Sequence, residues 1–527
     1  MSARANAGNR RFIYSRPAGW RGRRAALLLT TIMPSLPILR SGIARALFAS
    51  LALYASACSD RGDKGPIVVS VIGDRDDFAR PLPNLPDPGA KLFLEATAQG
   101  LVAFDAAGEI LPALAQRWIV EEDGRSYIFR LRRAFWGNGA RVTATDVARI
   151  LTARIAALRR IDPAGPLDAV EAVVPMTGEV IEIRLAAPRP FLLQMLAQPQ
   201  MALLSRDSGA GPFRPVRRPG GLLLKPAEAQ PGDGTDPESG SAGQTLILRA
   251  ERAALAIARF SNGYSALLLG GHLTDLPLLA AAGVDRDAVR FDPVQGLLGL
   301  TVAQDSALLK DDHLREAISM AIDRDQLATL FPMGGWTVTS QILPQQLDLP
   351  RPPSAPPWAG LAMPDRQIQA RATVDRWRSA HGDPPVLRIA LPSGAGSRLL
   401  FASINRDLRA IGLTVRRVAM QDDADLRLID EVAAYDSALW YLGRVGCARR
   451  ISCSPEAEAA MREASRTGAI AQRMAGVAAA EALIQAHNGY IPLGAPVRWS
   501  LVSRRLDGFT PSPRARHPLN HLLRSTN

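Results

Sequence analysis

The 527-residue sequence has little cysteine, little lysine and none of the short motifs that mark common enzyme classes. Three cysteines exclude a small disulfide scaffold, and four lysines accompany 59 arginines, which we attribute to genome composition. The absence of G-x-x-x-x-G-K-[ST], H-E-x-x-H and G-x-S-x-G removes the motif support for a P-loop ATPase, a zincin protease and an α/β-hydrolase. The six histidines are scattered. We therefore expect no catalytic site, no cofactor and no metal site.

The composition is that of a folded globular protein. Hydrophobic residues make up 47% and charged residues 21% of the chain, which fits neither a disordered chain nor a polytopic membrane protein. The length predicts two to four domains with enough apolar material for a large core.

The formal net charge of +13 is concentrated at the N-terminus. Residues 1–57 contain nine arginines and no Asp, Glu or Lys, so the rest of the chain has 54 basic and 50 acidic residues. A net charge of +4 outside this segment gives little support to nucleic-acid binding, and no nucleic-acid partner is expected.

The first 57 residues are typical of an export signal. Arg40 and Arg45 precede the apolar run 46–57, which is too short to span a bilayer and ends in Ala55-Ser56-Ala57 before Cys58. Small residues before a cysteine resemble the acylation site of bacterial lipoproteins, which predicts lipidation of Cys58. Simple cleavage with secretion and a retained anchor are the alternatives.

The cysteine count predicts a disulfide. If Cys58 carries lipid, Cys447 and Cys453 remain as a pair in an oxidising compartment, six positions apart. The alternative is two unpaired thiols in an irregular loop.

Strand and helix signals alternate in two large blocks, which indicates an α/β protein with two lobes. Asp123-Gly124 between alternating apolar residues predicts a β-hairpin, and Thr143 with Asp146 predicts a helix start. Further expectations are a loop or lobe boundary at 209–243, one amphipathic helix over 311–331, a strand near 437–442 and a helical segment over 455–487.

Several separate blocks of the sequence resemble one known family in the family's order. The blocks are Gln99-Gly100-Leu101-Val102, Trp118, Asp123-Gly124, residues 127–132, Trp136-Gly137-Asn138-Gly139, residues 142–147, Gly211-Pro212-Phe213, Leu314-Arg315-Glu316-Ala317, Ala321-Ile322-Asp323-Arg324 and Tyr490-Ile491-Pro492-Leu493. Together they resemble the family 5 extracellular solute-binding proteins, the oligopeptide-, dipeptide- and nickel-binding components of ABC importers.

The resemblance implies a two-lobed periplasmic binding protein-like fold of cluster C with an extra subdomain in the first lobe. The implied domains are a signal peptide over 1–57, a first lobe over 58–295 with an inserted subdomain at about 99–205, a second lobe over 296–485, and a return to the first lobe over 486–527.

The same resemblance implies a monomer that captures a peptide or another amphiphilic solute between its lobes. It would deliver this solute to an ABC permease in the inner membrane and would lie in the periplasm, anchored by lipid. The alternative is a periplasmic sensor or a chaperone-like envelope lipoprotein with the same fold.

The region after Tyr435-Asp436 departs from peptide-binding relatives, in which an Asp after a Trp holds the peptide's amino terminus. No Asp or Glu occurs between Asp436 and Glu456, and Arg444 stands near the expected position. We expect Trp440, Tyr441 and Arg444 to contact the ligand and to favour an anionic or N-terminally blocked solute. In the alternative, Arg444 to Arg450 form a solvated rim and a carboxylate elsewhere binds the amine.

Overall fold

Two mixed β-sheets and a smaller antiparallel sheet organise the chain. The computed structural model describes residues 65–74, 78, 88–161, 165–206, 208–227, 244–304, 306–347, 349–466 and 470–524. Cys58 and the predicted export signal lie outside these residues. None of the helices in the described ranges combines the length and the apolar composition needed to cross a membrane.

The strands alternate with helices along the chain. They are β1 (Ile67–Ile72), β2 (Val102–Phe104), β3 (Ile110–Pro112), β4 (Ala115–Glu121), β5 (Ser126–Leu131), β6 (Val170–Thr177), β7 (Val180–Leu185), β8 (Leu204–Ser205), β9 (Ser208–Gly209), β10 (Phe213–Arg218), β11 (Gly221–Pro226), β12 (Leu246–Glu251), β13 (Leu267–His272), β14 (Val289–Phe291), β15 (Gly296–Val302), β16 (Leu387–Ala390), β17 (Val415–Val418), β18 (Leu426–Val432), β19 (Tyr490–Gly494), β20 (Arg498–Val502), β21 (Leu506–Asp507) and β22 (Leu523–Arg524).

The α-helices cover both large sheets. They are α1 (Pro88–Thr97), α2 (Ala144–Ile161), α3 (Leu192–Leu196), α4 (Ala253–Ser261), α5 (Pro277–Ala281), α6 (Asp312–Ala321), α7 (Arg324–Leu330), α8 (Met363–His381), α9 (Ala395–Ala410), α10 (Ala438–Val445), α11 (Pro455–Arg466) and α12 (Ile470–His487).

The first lobe is built on a seven-stranded sheet with the order β10-β11-β12-β1-β13-β20-β14. β1 runs parallel to β12 and β13, whereas β20 is antiparallel to both of its neighbours. Helix α1 packs Leu92, Phe93 and Ala96 into the apolar cluster on this sheet. Ala96 lies four residues after Leu92 and three after Phe93, so the three share one buried stripe of the helix.

The second lobe is built on a five-stranded sheet with the order β17-β16-β18-β15-β19. Leu298 and Leu300 of β15 point into a core shared with α6, α8 and α9. Leu297 belongs to a second core on the other face, with α10, α11 and α12. Successive side chains of β15 point to opposite faces, and both faces are covered by apolar cores. The strand sequence is therefore apolar throughout.

The four-stranded antiparallel sheet of the first lobe has the order β4-β5-β7-β6. Its β4-β5 hairpin confirms the turn predicted at Asp123-Gly124, with positive φ at Glu122, Asp123 and Gly124. The predicted helix start is also confirmed, since the backbone N–H of Asp146 donates to Thr143 Oγ1 at 3.2 Å.

Three local predictions were wrong. Residues 213–226 form the β10-β11 hairpin rather than a loop. The helix predicted over 311–331 is two helices, because Asp323 caps a second one by accepting from the Gln326 N–H at 3.0 Å. Residues 438–445 form α10 instead of a strand, capped by the Ser437 hydroxyl. The strand of this region is β18, upstream of the predicted position.

The chain crosses between the two large sheets at residues 292–295 and again at residues 495–497. Beside these crossings, Arg498 of β20 donates to Asp430 of β18 with an Nη1–Oδ1 distance of 2.7 Å. His272 of β13 contacts the second carboxylate oxygen, with an Nδ1–Oδ2 distance of 3.1 Å. An ion pair thus joins the first sheet to the second.

Asp430 is charged in this setting. Burial raises the pKa of its carboxyl, but Arg498 and His272 together outweigh burial and lower this pKa to about 2. When folding lowers the pKa of a carboxyl, the carboxyl stabilises the fold at pH values above its pKa in the unfolded chain. This stabilisation is lost as the pH falls through the lower pKa of the folded protein.

Gly211 lies against the end of α1. A Cβ at this position would overlap the carbonyl carbon of Thr97 and the backbone nitrogen of Ala98. The backbone of Thr97 also accepts a hydrogen bond from the Gly211 N–H at 3.0 Å. The close approach of two backbones therefore requires glycine here.

We predict that Gly211→Ala lowers the free energy of unfolding by about 1–3 kcal/mol, because backbone atoms cannot move aside as a flexible side chain can. Urea unfolding followed by circular dichroism measures the change. Gly178→Ala is the matched control, since no atom lies within 4 Å of its added Cβ. Equal stability of the two variants would contradict the required close approach.

We predict that the stability advantage of the wild type over Asp430→Asn shrinks by about 2 kcal/mol between about pH 5 and pH 2. The amide of the variant is uncharged at every pH. The wild-type carboxyl becomes uncharged as well when it is protonated, so the two proteins then lose their difference in charge. Urea unfolding of both proteins across this range measures the difference, and a pH-independent gap would show that Asp430 is not held ionised by Arg498 and His272.

Candidate ligand-binding site between the lobes

The ends of several strands and helices meet where the two lobes face each other. The Arg498–Asp430 pair lies on one face of β18, and the next residue, Glu431, points to the opposite face because side chains alternate along a strand. Asp275 lies close to His272 and Asp430, and burial raises the pKa of its carboxyl. β18 therefore presents two carboxylates at the interlobe region, one on each face.

Arg444 approaches Glu431 from α10. Its Nε lies 2.8 Å from Glu431 Oε2, and its guanidinium lies 5.6 Å from the ring centre of Trp440. Arg450 donates from Nε to the Arg444 carbonyl oxygen at 2.8 Å. The arginine that the sequence assigned to the ligand thus has a carboxylate partner within the protein.

The structure brings Trp440, Tyr441 and Arg444 together on α10. Trp440 and Tyr441 meet edge to face with ring centres 4.9 Å apart, and both belong to the core that α10 forms with α11 and α12. Tyr441 is fully buried, and burial raises the pKa of its hydroxyl. Ligand contact by these three residues stays a prediction.

The predicted cysteine pair lies directly after α10. Cys447 and Cys453 are joined as a disulfide with a Cα–Cα distance of 5.1 Å. The Cys447 N–H donates to a carboxylate oxygen of Glu458 at 3.2 Å, which ties the loop to α11. The loop carries Arg450, so the bridge restrains the segment that supports Arg444.

The C-terminal segment supplies two half-buried arginines that sequence reasoning missed. Arg514 forms a two-pronged pair with Asp436, at 3.0 Å from Nη1 to Oδ1 and 2.6 Å from Nη2 to Oδ2. Arg516 donates to Gln198 Oε1 at 2.6 Å and lies 3.3 Å from Glu95 Oε1. Burial lowers the pKa of Arg516. No local pattern marks these two among the chain's many arginines.

The small sheet's subdomain also contacts the second lobe. Phe191 stacks on Tyr435 with ring centres 4.9 Å apart, and the Gln198 side-chain amide donates to the Ala434 carbonyl oxygen at 3.1 Å. Segment 433–436 therefore contacts both the subdomain and the C-terminal segment. Together these contacts enclose one side of the interlobe region.

A cavity of about 260 Å³ lies beside the crossing segments. Its walls include Gln295 of the first crossing, Leu297 and Tyr490 of the second sheet, and the loop around Thr339 and Gln341. Within the described part of the chain, no group of three or more His, Cys, Asp or Glu residues is arranged to hold a metal ion.

Residues 109–233 match the family model described as "Bacterial extracellular solute-binding proteins, family 5 Middle". A relative from Escherichia coli K12, the "Probable deoxycholate-binding periplasmic protein YgiS", is 31% identical over 127 residues, which is 20% of this chain and 23% of that protein. The curated relatives are thus matched over less than a quarter of their own length.

Solved structures match over most of the chain. Haemophilus influenzae OppA in complex with RPPGFSPFR superposes with a TM-score of 0.74 at 17% identity, covering 88% of this chain and 99% of that one. The Escherichia coli murein tripeptide binding protein MppA gives 0.72 at 18% identity, covering 88% and 99%. At these identities the likeness establishes the fold, which is the two-lobed fold of periplasmic binding proteins. The family 5 model thus matches residues 109–233, and the periplasmic binding protein fold extends over 88% of the chain.

Proposed function

We propose that this protein is the extracytoplasmic solute-binding component of an ABC importer, which captures a peptide or similar amphiphilic solute and delivers it to a membrane permease. The observation that carries the proposal is the interlobe region, where two lobes are linked by only two short segments and face each other with charged side chains. Such linkage favours hinge closure around a ligand.

The contacts between the lobes are polar enough to exchange with a ligand. Asp436 is 60% exposed although it pairs with Arg514 of the C-terminal segment. Glu431, which pairs with Arg444 inside the second lobe, is 32% exposed. Partly hydrated ion pairs contribute little net stability, so a solute can replace them at modest cost. We infer that Asp436 and Arg514 alternate between contact with each other and contact with the solute.

We predict that the freshly purified protein holds one small solute per chain, because closed lobes retain their ligand through purification. Native mass spectrometry should show an added mass that disappears on unfolding. The solute, added back to refolded protein, should raise the melting temperature and reduce the radius of gyration in X-ray scattering.

Two results together would contradict solute binding. They are the absence of a co-purified solute and the absence of any melting-temperature shift with a library of peptides and carboxylate-bearing amphiphiles. Gly178→Ala serves as the control for handling, since it alters an open turn in the small sheet's subdomain.

We predict that Cys58→Ser moves the mature protein from the membrane fraction to the soluble periplasmic fraction, because the variant lacks the thiol that carries the lipid. A stable anchor needs more than one acyl chain, which bacterial lipoprotein processing supplies. Fractionation with immunoblotting measures the shift. Wild-type protein found wholly in the soluble fraction would contradict the lipid anchor.

A further inference from the structure

Among the described residues, Lys91 is an interlobe cation without an ion-pair partner. It is one of only four lysines in the chain and lies on α1. The other faces of this helix are buried, whereas Lys91 is solvent-exposed and Glu95, four residues on, is half-buried. Residues four apart share one helix face, so Lys91 and Glu95 form the open stripe of α1.

The stripe faces the interlobe region. Glu95 contacts Arg516 of the C-terminal segment at 3.3 Å. The charges that act on the Lys91 ammonium come from Glu95, Arg516, Arg498 and Glu431, of which Glu431 belongs to the second lobe. Lys91 therefore lies among groups contributed by both lobes while it keeps contact with solvent, as a side chain at the bottom of a cleft does.

The carboxylates around Lys91 are already engaged by arginines. The pairs are Glu95–Arg516 at 3.3 Å, Asp430–Arg498 at 2.7 Å, Glu431–Arg444 at 2.8 Å and Asp436–Arg514 at 2.6 Å. Burial raises the pKa of Asp275, which works against a further negative charge. Among the described residues Lys91 forms no hydrogen bond and no ion pair, so the region carries an uncompensated positive charge.

The surroundings make that charge unfavourable in the absence of an anion. Although the Lys91 side chain reaches solvent, the surrounding protein desolvates its ammonium. This desolvation and the nearby Arg516 and Arg498 lower the pKa of Lys91, and Glu95 and Glu431 offset this only in part. An anion bound beside the ammonium would restore its pKa toward the usual range. Binding of an anion should therefore weaken as the pH rises through the lowered pKa.

We propose that Lys91 anchors a carboxylate group of the transported solute, which makes a monoanionic amphiphile or a peptide with a free carboxyl terminus the preferred ligand. The single ammonium of Lys91 matches one carboxylate. The inference rests on the proposed function and differs from the sequence-based expectation, which assigned the anion to Arg444. Lys91 is the better anchor because it has no partner to lose.

The test compares two matched ligand pairs by isothermal titration calorimetry on ligand-free, refolded protein. One pair is an N-acetylated tripeptide and its C-terminal amide; the other is deoxycholate and its neutral methyl ester. The first pair represents a peptide source and the second a lipid-like source of the carboxylate. The proteins are the wild type, Lys91→Met, Lys91→Arg and, as a matched control at an exposed lysine of β11, Lys225→Met.

In at least one pair the wild type should bind the anionic member about 10- to 100-fold more tightly than the neutral one, the range of a charge-assisted hydrogen bond. Lys91→Met should lose this preference and keep the wild-type affinity for the neutral member. Lys91→Arg and Lys225→Met should retain the preference. Melting temperatures within the error of the wild type confirm that each variant is folded.

Equal affinity for both members in the wild type, or a preference that survives in Lys91→Met, would overturn the inference and leave the solute-binding function standing. If none of the four probes binds, the co-purified solute decides: an acidic solute lost from Lys91→Met supports the anchor, and a solute without an acidic group overturns it. If no solute binds at all, the proposed function fails as well.

Discussion

The ionised carboxylate of Asp430 is the contact on which the arrangement of the two lobes depends. Only two short segments join the lobes covalently, so non-covalent contacts decide how the lobes meet. Arg498 and His272 keep the carboxylate charged despite its burial. A polar contact of this kind can form and break in water, whereas a large apolar interface would hold the lobes together permanently.

Four carboxylates of the interlobe region each meet an arginine, namely those of Glu95, Asp430, Glu431 and Asp436. The planar guanidinium suits this role, since it can bind both oxygens of a carboxylate, as Arg514 does with Asp436. Lysine offers a compact charge on a flexible stem and stays close to water. The side chain of Lys91 therefore keeps its freedom to move, while the paired arginines are held in place.

Sequence reasoning succeeded where structure is local. The hairpin at Asp123-Gly124 and the cap at Thr143 depend on residues within a few positions, and they form as predicted. It failed at α10, whose apolar residues suit a strand or a helix equally until β18 occupies the neighbouring place in the sheet. The pairing of Arg444 with Glu431 and of Arg514 with Asp436 joins distant positions, and no short pattern encodes it. The sequence suggests a site near α10, which stays a prediction, and it gives no sign of the ion pairs that surround this helix.

The position of β20 in the first sheet sets the order in which the lobes can be completed. A chain that emerges N-terminus first, from a ribosome or a translocation channel, delivers β19 and completes the second sheet before β20 appears. β14 pairs only with β20, so the first sheet lacks two strands until residues 498–502 have emerged. Its unpaired β13 edge and apolar face are exposed during that interval, which is the condition under which binding by chaperones and aggregation compete with folding. The lobe whose residues are made first is thus the lobe that folds last.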